Sequence, residues 1–352
     1  MTTTTAAPSS GGRVGITPSA GGRLGVLVIQ LGGPENRAEL KPFLYELFAD
    51  PEILGIKSAP LRKLVAWLIA TLRASKSALT YEQIGWSPIR RWTLTQARLL
   101  EQELGNDNGT GTDSSPLVRA GMTCAEPTVE RALLDLRAQG VTRLVVLPLY
   151  PQYSVTTTRS SFDKVTQVLA KIGWTVPRQN APDSWYDEPH FVEAHVARIE
   201  EAAAKLPDPD PSKTVLLYSA HSLPVSTVVK QKDPYPTHIA ASVALVDEKL
   251  GRRFRSRLAF QSKVGPVPWI GPSTPDVLTQ LAKEGVKQVI VCPIAFVSDH
   301  VETLYEIRIL FGDQARSLGI EHYVAADGLN DHPELIRALA SVVSKTVEAG
   351  AP

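Results

Sequence analysis

The stretch EPTVERALLDLRAQGVTRLVVLPLYPQYS (126–154) decides the fold, because its plan recurs in PSTPDVLTQLAKEGVKQVIVCPIAFVSDH (272–300). Each copy contains an amphipathic helix, a glycine turn, an apolar strand interrupted by proline and a polar loop. A second, looser pair is VLVIQLGGP (26–34) and VLLYSAHSLP (215–224). The copies lie much farther apart than solenoid repeats do, so the chain is predicted to contain two similar βα domains.

Continuous apolar runs predict the strands, because strands of a parallel sheet are buried on both faces. The runs are Leu24–Gln30, Arg143–Leu149, Thr214–Ser219 and Gln288–Phe296. Apolar residues at i, i+3 and i+4 predict helices at Thr128–Leu136 and Thr274–Lys283. Since ligands of open parallel sheets bind beyond the carboxyl ends of the strands, four loops become candidates. They are Leu31–Pro34, Tyr150–Thr157, Ala220–Pro224 and Val297–Glu306.

The length of 352 residues suits two domains. We expect a disordered tail over 1–22, a first lobe over 23–200 and a second lobe over 201–329, with a Pro- and Asp-rich connector near 203–213. A C-terminal helix at 330–350 is expected to return to the first lobe. The net charge of +1, from 37 basic and 36 acidic residues, leaves no field to hold nucleic acid.

Several classes of cofactor are not expected, because the motifs that bind them are missing from the sequence. The only cysteines, Cys124 and Cys292, are too few for an iron–sulfur cluster or a cysteine-ligated zinc site. GGP at 32–34 is not a dinucleotide fingerprint, and no GxxxxGK[ST] occurs, so no nucleotide is expected. The tail lacks the apolar core of a secretory signal, which favours a cytoplasmic protein.

The run LRKLVAWLIATL (61–72) predicts a basic amphipathic helix that is too short to span a bilayer. Two interpretations stay open. The helix either lies on a membrane surface, which would make the protein peripheral to the inner membrane, or covers the protein's own apolar ligand.

Ionisable side chains concentrate in the second-half loops. His221 follows the strand TVLLYS, and the loop SDHVETLYE (298–306) places Glu302 and Glu306 four residues apart, on one face of a helix. Asp299 and Glu302 also fit a capping box, in which Glu302 would only satisfy a backbone donor. His300 is a candidate to orient a partner, to bind metal or to be a half-buried loop residue.

Imidazole and carboxylates without thiolates suit a borderline divalent ion such as Fe²⁺, and they also suit proton abstraction. Metal insertion into a macrocycle needs both functions, because two N–H protons leave as the ion enters. The remaining loops supply groups fit for a flat apolar ligand with a polar rim: Tyr150, Gln152, Tyr153, Ser154 and Trp269.

A series of motifs resembles the ferrochelatases in order and over nearly the whole chain from residue 24. The motifs are LGGP (31–34), LPLYPQYS (147–154), SWYDEP (184–189), YSAHSLP (218–224), DPYP (233–236), QSKVGPVPWIGPST (261–274) and FVSDHVETLYEIR (296–308). The resemblance implies two Rossmann-like lobes, each a parallel sheet flanked by helices, with the active-site cleft between them. It also implies Fe²⁺ as substrate metal and a porphyrin as partner.

The resemblance assigns roles to matched residues. His221 is implied as metal ligand and base and Glu302 as its opposing carboxylate and second metal ligand, with Glu306 and Asp299 continuing an acidic path and His300 supporting it. The porphyrin contacts implied are Leu31, Tyr81, Tyr150, Gln152, Tyr153, Ser154 and Trp269. If neutral His221 is required, activity should fall below about pH 6.

Leu31 decides the expected porphyrin. Relatives that use coproporphyrin tend to carry tyrosine there, so leucine favours protoporphyrin IX. The alternatives are coproporphyrin III insertion, a cobalt or sirohydrochlorin chelatase, and a non-catalytic porphyrin or haem carrier. Upstream haem-pathway oxidases and iron donors are the expected protein partners.

Overall fold

The computed structural model describes residues 22–106, 115–208 and 210–350. The disordered tail expected over 1–22 therefore lies outside the described residues, apart from Gly22.

The first half of the chain alternates strands and helices. Its elements are β1 (Arg23–Gln30), α1 (Arg37–Ala49), α2 (Pro51–Leu54), α3 (Ala59–Gln83), α4 (Ile89–Asn106), β2 (Leu117–Met122), α5 (Val129–Ala138), β3 (Val141–Pro148), a π-helix (Val155–Arg159), α6 (Ser160–Lys171), β4 (Arg178–Asn180) and α7 (Pro189–Ala203).

The second half repeats that alternation. Its elements are β5 (Thr214–His221), α8 (Val225–Gln231), α9 (Tyr235–Lys249), β6 (Arg255–Gln261), α10 (Thr274–Lys283), β7 (Gln288–Cys292), a π-helix (Glu302–Leu310), α11 (Phe311–Ser317), β8 (His322–Ala325) and α12 (Pro333–Ala349).

Two parallel sheets, with orders β2-β1-β3-β4 and β6-β5-β7-β8, form the described part of the fold. The order is the same in both, so the two-lobed α/β prediction is confirmed. In each sheet the first strand of the half is central, because it pairs with both the second and the third strand. Its carboxyl end therefore lies at the point where the chain switches direction across the sheet, where ligands of such folds bind.

The two copies correspond closely in structure. Helices α5 and α10 each have 10 residues and are capped by the side chains of Thr128 and Ser273. Equivalent bridges join Met122 to Thr128 and Phe260 to Ser273. Aligning the caps Thr128 and Ser273 sets the register of the two copies. This register differs by one residue from an alignment that matches 126–154 with 272–300 end to end.

Strand boundaries differ from the predictions at two informative places. β5 continues through His221, which pairs with Gln261 of β6, so His221 is the last residue of the strand rather than the first of the loop. β7 ends at Cys292 instead of Phe296, since Pro293 has no N–H to continue the ladder.

The core of each lobe is apolar, and two helices connect the lobes. α12 places Leu335, Leu339 and Val343 against the first sheet. α7 contributes Phe191 to the first-sheet core and Ile199 to the second-sheet core. A helix that belongs to both cores fixes the relative position of the lobes.

Candidate active site

Two elements of the second lobe bring the acid–base residues together. β5 ends in His221, and the π-helix begins with Glu302 and carries Glu306 one turn later. The Nδ1 atom of His221 lies 2.8 Å from Oε2 of Glu302. Their side chains are 36% and 22% exposed, so both remain accessible to a ligand.

The hydrogen bond to Glu302 fixes the tautomer of His221. Because an ionised carboxylate only accepts, Nδ1 of His221 must carry the proton and donate it to Oε2. In the neutral ring, Nε2 then keeps its lone pair. His221 can therefore accept a proton or contact a metal ion through Nε2, while Glu302 stabilises the charge that results.

Charges in the cluster separate the pKa values. Burial opposes ionisation of Glu302, but the charge and hydrogen bond of His221, with smaller effects from His300 and Ser262, lower its pKa to about 2. Burial and the charge of Glu302 raise the pKa of Glu306 to about 7. One carboxyl is thus ionised and its neighbour holds a proton near neutrality.

The pKa of His221 is also raised. Burial alone would lower it, but the charge and hydrogen bond of Glu302 and the charge of Glu306 outweigh that effect. The sequence-based expectation of activity down to about pH 6 assumed an ordinary imidazole. The neutral form of His221 instead requires a higher pH.

Ser262 lies between the two carboxyl groups. Its Oγ is 2.9 Å from Oε2 of Glu302 and 2.8 Å from Oε2 of Glu306. A hydroxyl has one proton to donate, so two close carboxyl oxygens are satisfied together only when one of them donates to Oγ. This arrangement fits a protonated Glu306 beside an ionised Glu302.

Ser262 was not predicted as a site residue, although it lies in the motif QSKVGPVPWIGPST (261–274). It follows β6, whose mixed polar and apolar sequence was not predicted as a strand, and its backbone adopts φ +65°. Applying the strand-end rule to β6 as well as to β5 would have selected it. Gln261, the preceding residue, donates to the backbone oxygen of Glu302 and so helps to hold the backbone that carries this carboxylate.

The capping-box interpretation of Glu302 is wrong. The backbone N–H of Asp299, which Glu302 would satisfy in such a box, instead donates to Oδ1 of Asn330 at 2.8 Å. Thr303 Oγ1 accepts from the backbone N–H of His300 at 3.0 Å and donates to Oδ1 of Asp299 at 2.8 Å. The carboxylate of Glu302 is therefore free to meet His221.

Asp299 does not join Glu302 and Glu306. Its carboxylate is buried and bonds Thr303 on one oxygen and Nδ2 of Asn330 on the other. These contacts place Asp299 in the support of the helix start instead of in an acidic path.

His300 faces Glu302 from the other side. Its Nδ1 donates to the backbone oxygen of Ser298 at 3.0 Å, and Nε2 lies 3.9 Å from Oε1 of Glu302. In the described ranges no group of three or more His, Cys, Asp and Glu side chains is arranged to hold a metal ion. The imidazole and carboxylate groups that meet here are His221 and Glu302, with His300 adjacent.

Two buried tyrosines respond to the charge of Glu302. Burial, and to a smaller degree that charge, raises the pKa values of both Tyr81 and Tyr235. Tyr81 stacks on Trp86 with ring centroids 6.1 Å apart. Trp86 and Tyr235 were not predicted as site residues, although Tyr235 lies in the motif DPYP (233–236).

Leu31 and Tyr150 lie in the first lobe, at the ends of its central strands. Leu31 is half-buried and follows Gln30 of β1 as His221 follows Ala220 of β5, so the two occupy corresponding places. Burial, with smaller effects from Cys124 and Asp50, raises the pKa of Tyr150.

The loop after β3 is tied to the second lobe. The Gln152 amide donates to Ser242 Oγ at 2.9 Å, and Ser154 Oγ donates to Asp233 at 2.8 Å. The backbone N–H of Tyr153 donates to Nδ1 of His238. Gln152 and Ser154 are buried, so their polar atoms already serve the contact between the lobes.

Trp269 is half-buried and pairs with Pro224, close to the His221 loop. Its indole Nε1 has no hydrogen-bond partner within the part of the chain that the structure describes. A cavity of about 700 Å³ lies elsewhere, between α1, α5 and α6, and its lining contains neither His221 nor Glu302.

Solved structures share this architecture. SirB from Bacillus subtilis with Fe³⁺ superposes with a TM-score of 0.54 at 14% identity, covering 93% of this chain and 98% of that one. The sirohydrochlorin chelatase SirB from Bacillus subtilis subspecies spizizenii in complex with cobalt gives 0.51 at 13% identity, covering 93% and 97%. The chain therefore shares with these proteins an α/β fold, here built on two parallel four-stranded sheets.

Sequence relatives define the family. The ferrochelatase family model matches residues 23–347. The ferrochelatase of Desulfotalea psychrophila is 43% identical over 319 residues, 90% of this chain and 95% of the relative. That of Gloeobacter violaceus is 41% identical over 320 residues, 90% and 96%. The chain belongs to the ferrochelatase family, the porphyrin metal chelatases of haem biosynthesis.

Proposed function

We propose that this chain inserts Fe²⁺ into protoporphyrin IX and releases two protons. The main support for this proposal is the His221–Glu302 pair, whose Nδ1 and Oε2 atoms lie 2.8 Å apart at the accessible end of the second sheet. A base and an ionised carboxylate in contact with each other serve both parts of the reaction. The base removes protons from the porphyrin, and the two groups together transfer the metal.

The first role is proton removal. Neutral His221 accepts a pyrrole proton at Nε2, and ionised Glu302 stabilises the imidazolium through the existing hydrogen bond. This use of a carboxylate to orient and stabilise a general base is common in acid–base sites. The raised pKa of His221 strengthens it as an acceptor, at the expense of its neutral fraction at lower pH.

The second role is proton export. Ser262 contacts both Glu302 and Glu306, so a proton that reaches Glu302 has a hydroxyl path to its neighbour. The pKa of Glu306, raised to about 7, lets that carboxyl accept and release protons near neutrality. His221 and Glu302 contact the incoming Fe²⁺ in this proposal, and Glu306 carries protons away.

The porphyrin is proposed to lie between the lobes, against groups from each. Leu31 and Tyr81 would supply apolar contacts from the first lobe, and Trp269, Tyr150 and Tyr153 are the other proposed neighbours. Leu31 supports protoporphyrin IX, because an aliphatic side chain offers no axial oxygen to iron. The buried Gln152 and Ser154 would hold the β3 loop in place.

The test is anaerobic Fe²⁺ insertion followed by absorbance, with protoporphyrin IX and coproporphyrin III supplied separately. Wild type should convert protoporphyrin IX faster, and His221→Ala should bind porphyrin without turnover. Preference for coproporphyrin III would correct the substrate. Porphyrin binding by wild type without any insertion would identify a carrier instead.

A peripheral membrane contact through α3 is proposed as well. No helix in ranges 22–106, 115–208 and 210–350 is long and apolar enough to cross a bilayer. However, α3 turns large apolar side chains outward and buries alanines. The outward residues are Leu61, Leu64, Trp67, Leu68 and Leu72, exposed by 51%, 55%, 49%, 44% and 80%. This stripe, with the exposed Lys63 beside it, suits a lipid surface.

A further inference from the structure

A glutamine of the first lobe contacts the second lobe just before the π-helix Glu302–Leu310, hereafter the catalytic helix because it carries Glu302 and Glu306. Gln96 of α4 is completely buried. Its Nε2 lies 2.7 Å from the backbone oxygen of Asn330, 3.1 Å from that of Val297 and 3.0 Å from Oγ of Ser298. One lobe therefore holds the backbone that leads into the π-helix of the other.

Asn330 passes this contact on to Asp299. Its Nδ2 donates to Oδ2 of Asp299, and its Oδ1 accepts from the backbone N–H of Asp299, both at 2.8 Å. The backbone N–H of Asn330 donates to Val297 at 2.9 Å. Asn330 has φ +49°, which asparagine tolerates better than most residues do. Each polar group of Asn330 is thus engaged.

Asp299 completes the connection to the helix that carries Glu302. Its Oδ1 accepts from Thr303 Oγ1 at 2.8 Å, and Thr303 Oγ1 accepts from the backbone N–H of His300 at 3.0 Å. The linking residues Asn330, Asp299 and Thr303 are exposed by only 6%, 7% and 2%. A continuous buried chain of hydrogen bonds runs from α4 to the first turn of the catalytic helix.

We propose that Gln96 is a positioning residue for iron insertion, setting the location of Glu302 relative to His221. The inference rests on the proposed function. The sheet holds His221, whereas the Gln96–Asn330–Asp299–Thr303 chain holds the helix start, so the chain contributes to whether the two side chains meet. Displacing a reacting group by about 1 Å costs on the order of 100-fold in rate.

The side-chain contacts of Gln96 with the second lobe are made by its Nε2 group. Its Oε1 is buried and has no partner among the described residues. A buried acceptor without a donor is unfavourable for folding. The benefit of this side chain therefore comes from its N–H groups and from what they hold.

The experiment compares Gln96→Met with Gln102→Met. Methionine keeps the length and removes the N–H donors. Gln102 provides the matched control, because it lies exposed on the same helix and accepts from Arg98. Fe²⁺ insertion should show kcat lowered about 10- to 100-fold in Gln96→Met, with KM for porphyrin within about twofold. Gln102→Met should match wild type.

Thr303→Val tests the same chain from its other end and serves if Gln96→Met does not fold. It should also lower kcat without raising KM for porphyrin, and the double variant should be no slower than the slower single variant, because one chain is broken only once. Multiplied losses, or an unchanged kcat in folded Gln96→Met, would overturn the inference alone. Wild type without iron insertion would overturn the proposed function, and this inference with it.

Discussion

Replacing Glu306 by glutamine should stabilise the protein above neutral pH while slowing proton export. Burial and the charge of Glu302 raise the pKa of Glu306 from 4.5 to about 7. The folded chain therefore holds this proton more tightly than the unfolded chain does. Ionising Glu306 costs stability as pH rises from about 4.5 to 7, and below that window there is no cost.

The size of the effect follows from the pKa difference. At 1.36 kcal/mol per pKa unit, the cost is about 3 kcal/mol at pH 8 and about 1 kcal/mol at pH 5. Glutamine resembles the neutral acid and can donate to Ser262 Oγ, which lies 2.8 Å from Oε2 of Glu306. The variant should escape the cost at both pH values and gain most at pH 8.

Thermal unfolding at pH 5 and pH 8 measures this gain. An unfolding entropy of about 2.1 cal/mol/K per residue converts each kcal/mol to about 1.4 °C for a chain of 352 residues. Glu306→Gln should therefore raise Tm by about 4 °C at pH 8 and about 1 °C at pH 5. Glu348→Gln, on the exposed end of α12, is the control. A pH-independent Tm difference, or a lower Tm at pH 8, would refute the assigned electrostatics.

Three further predictions concern other parts of the molecule. Because the pKa of His221 is raised, kcat/KM should fall through a midpoint above pH 6.5 as pH decreases; a pH–rate profile with a midpoint at or below 6.5 would contradict this. Burial, then the charge of His332, lowers the pKa of His195 to about 3. Wild type should thus lose about 2 kcal/mol of stability between pH 7.5 and 5 as the unfolded imidazole gains a proton, and urea unfolding of His195→Leu should show that this loss has disappeared. Replacing both Trp67 and Leu68 by aspartate should abolish sedimentation with anionic liposomes and leave activity in detergent intact; unchanged sedimentation would exclude the α3 contact.

The sequence predicted the central strands and the location of His221 for a clear physical reason. β1, β3, β5 and β7 are buried on both faces and read as apolar runs, and their carboxyl ends mark the site. The edge strands carry mixed residues and left no such signal. β6, with the sequence RSRLAFQ, is an example, and missing it meant missing Ser262.

Hydrogen-bond partners could not be predicted from spacing alone. Asp299 and Glu302 fit a capping box, yet the backbone N–H of Asp299 donates to Oδ1 of Asn330 instead of to Glu302. Asn330 lies 31 residues from Asp299 and also donates its Nδ2 to that carboxylate. Contacts across such separations depend on the assembled fold and not on local sequence.

At one equivalent position the two halves of the chain carry residues of different chemistry. Leu31, directly after β1, corresponds in position to His221 at the end of β5, and the first lobe thus has a hydrocarbon where the second has a base. A planar ring held between such halves would meet a chemically inert surface on one side and a reactive surface on the other. Two nearly equivalent folds would thereby impose handedness on a substrate whose two faces are almost alike, and every proton would leave by the same face.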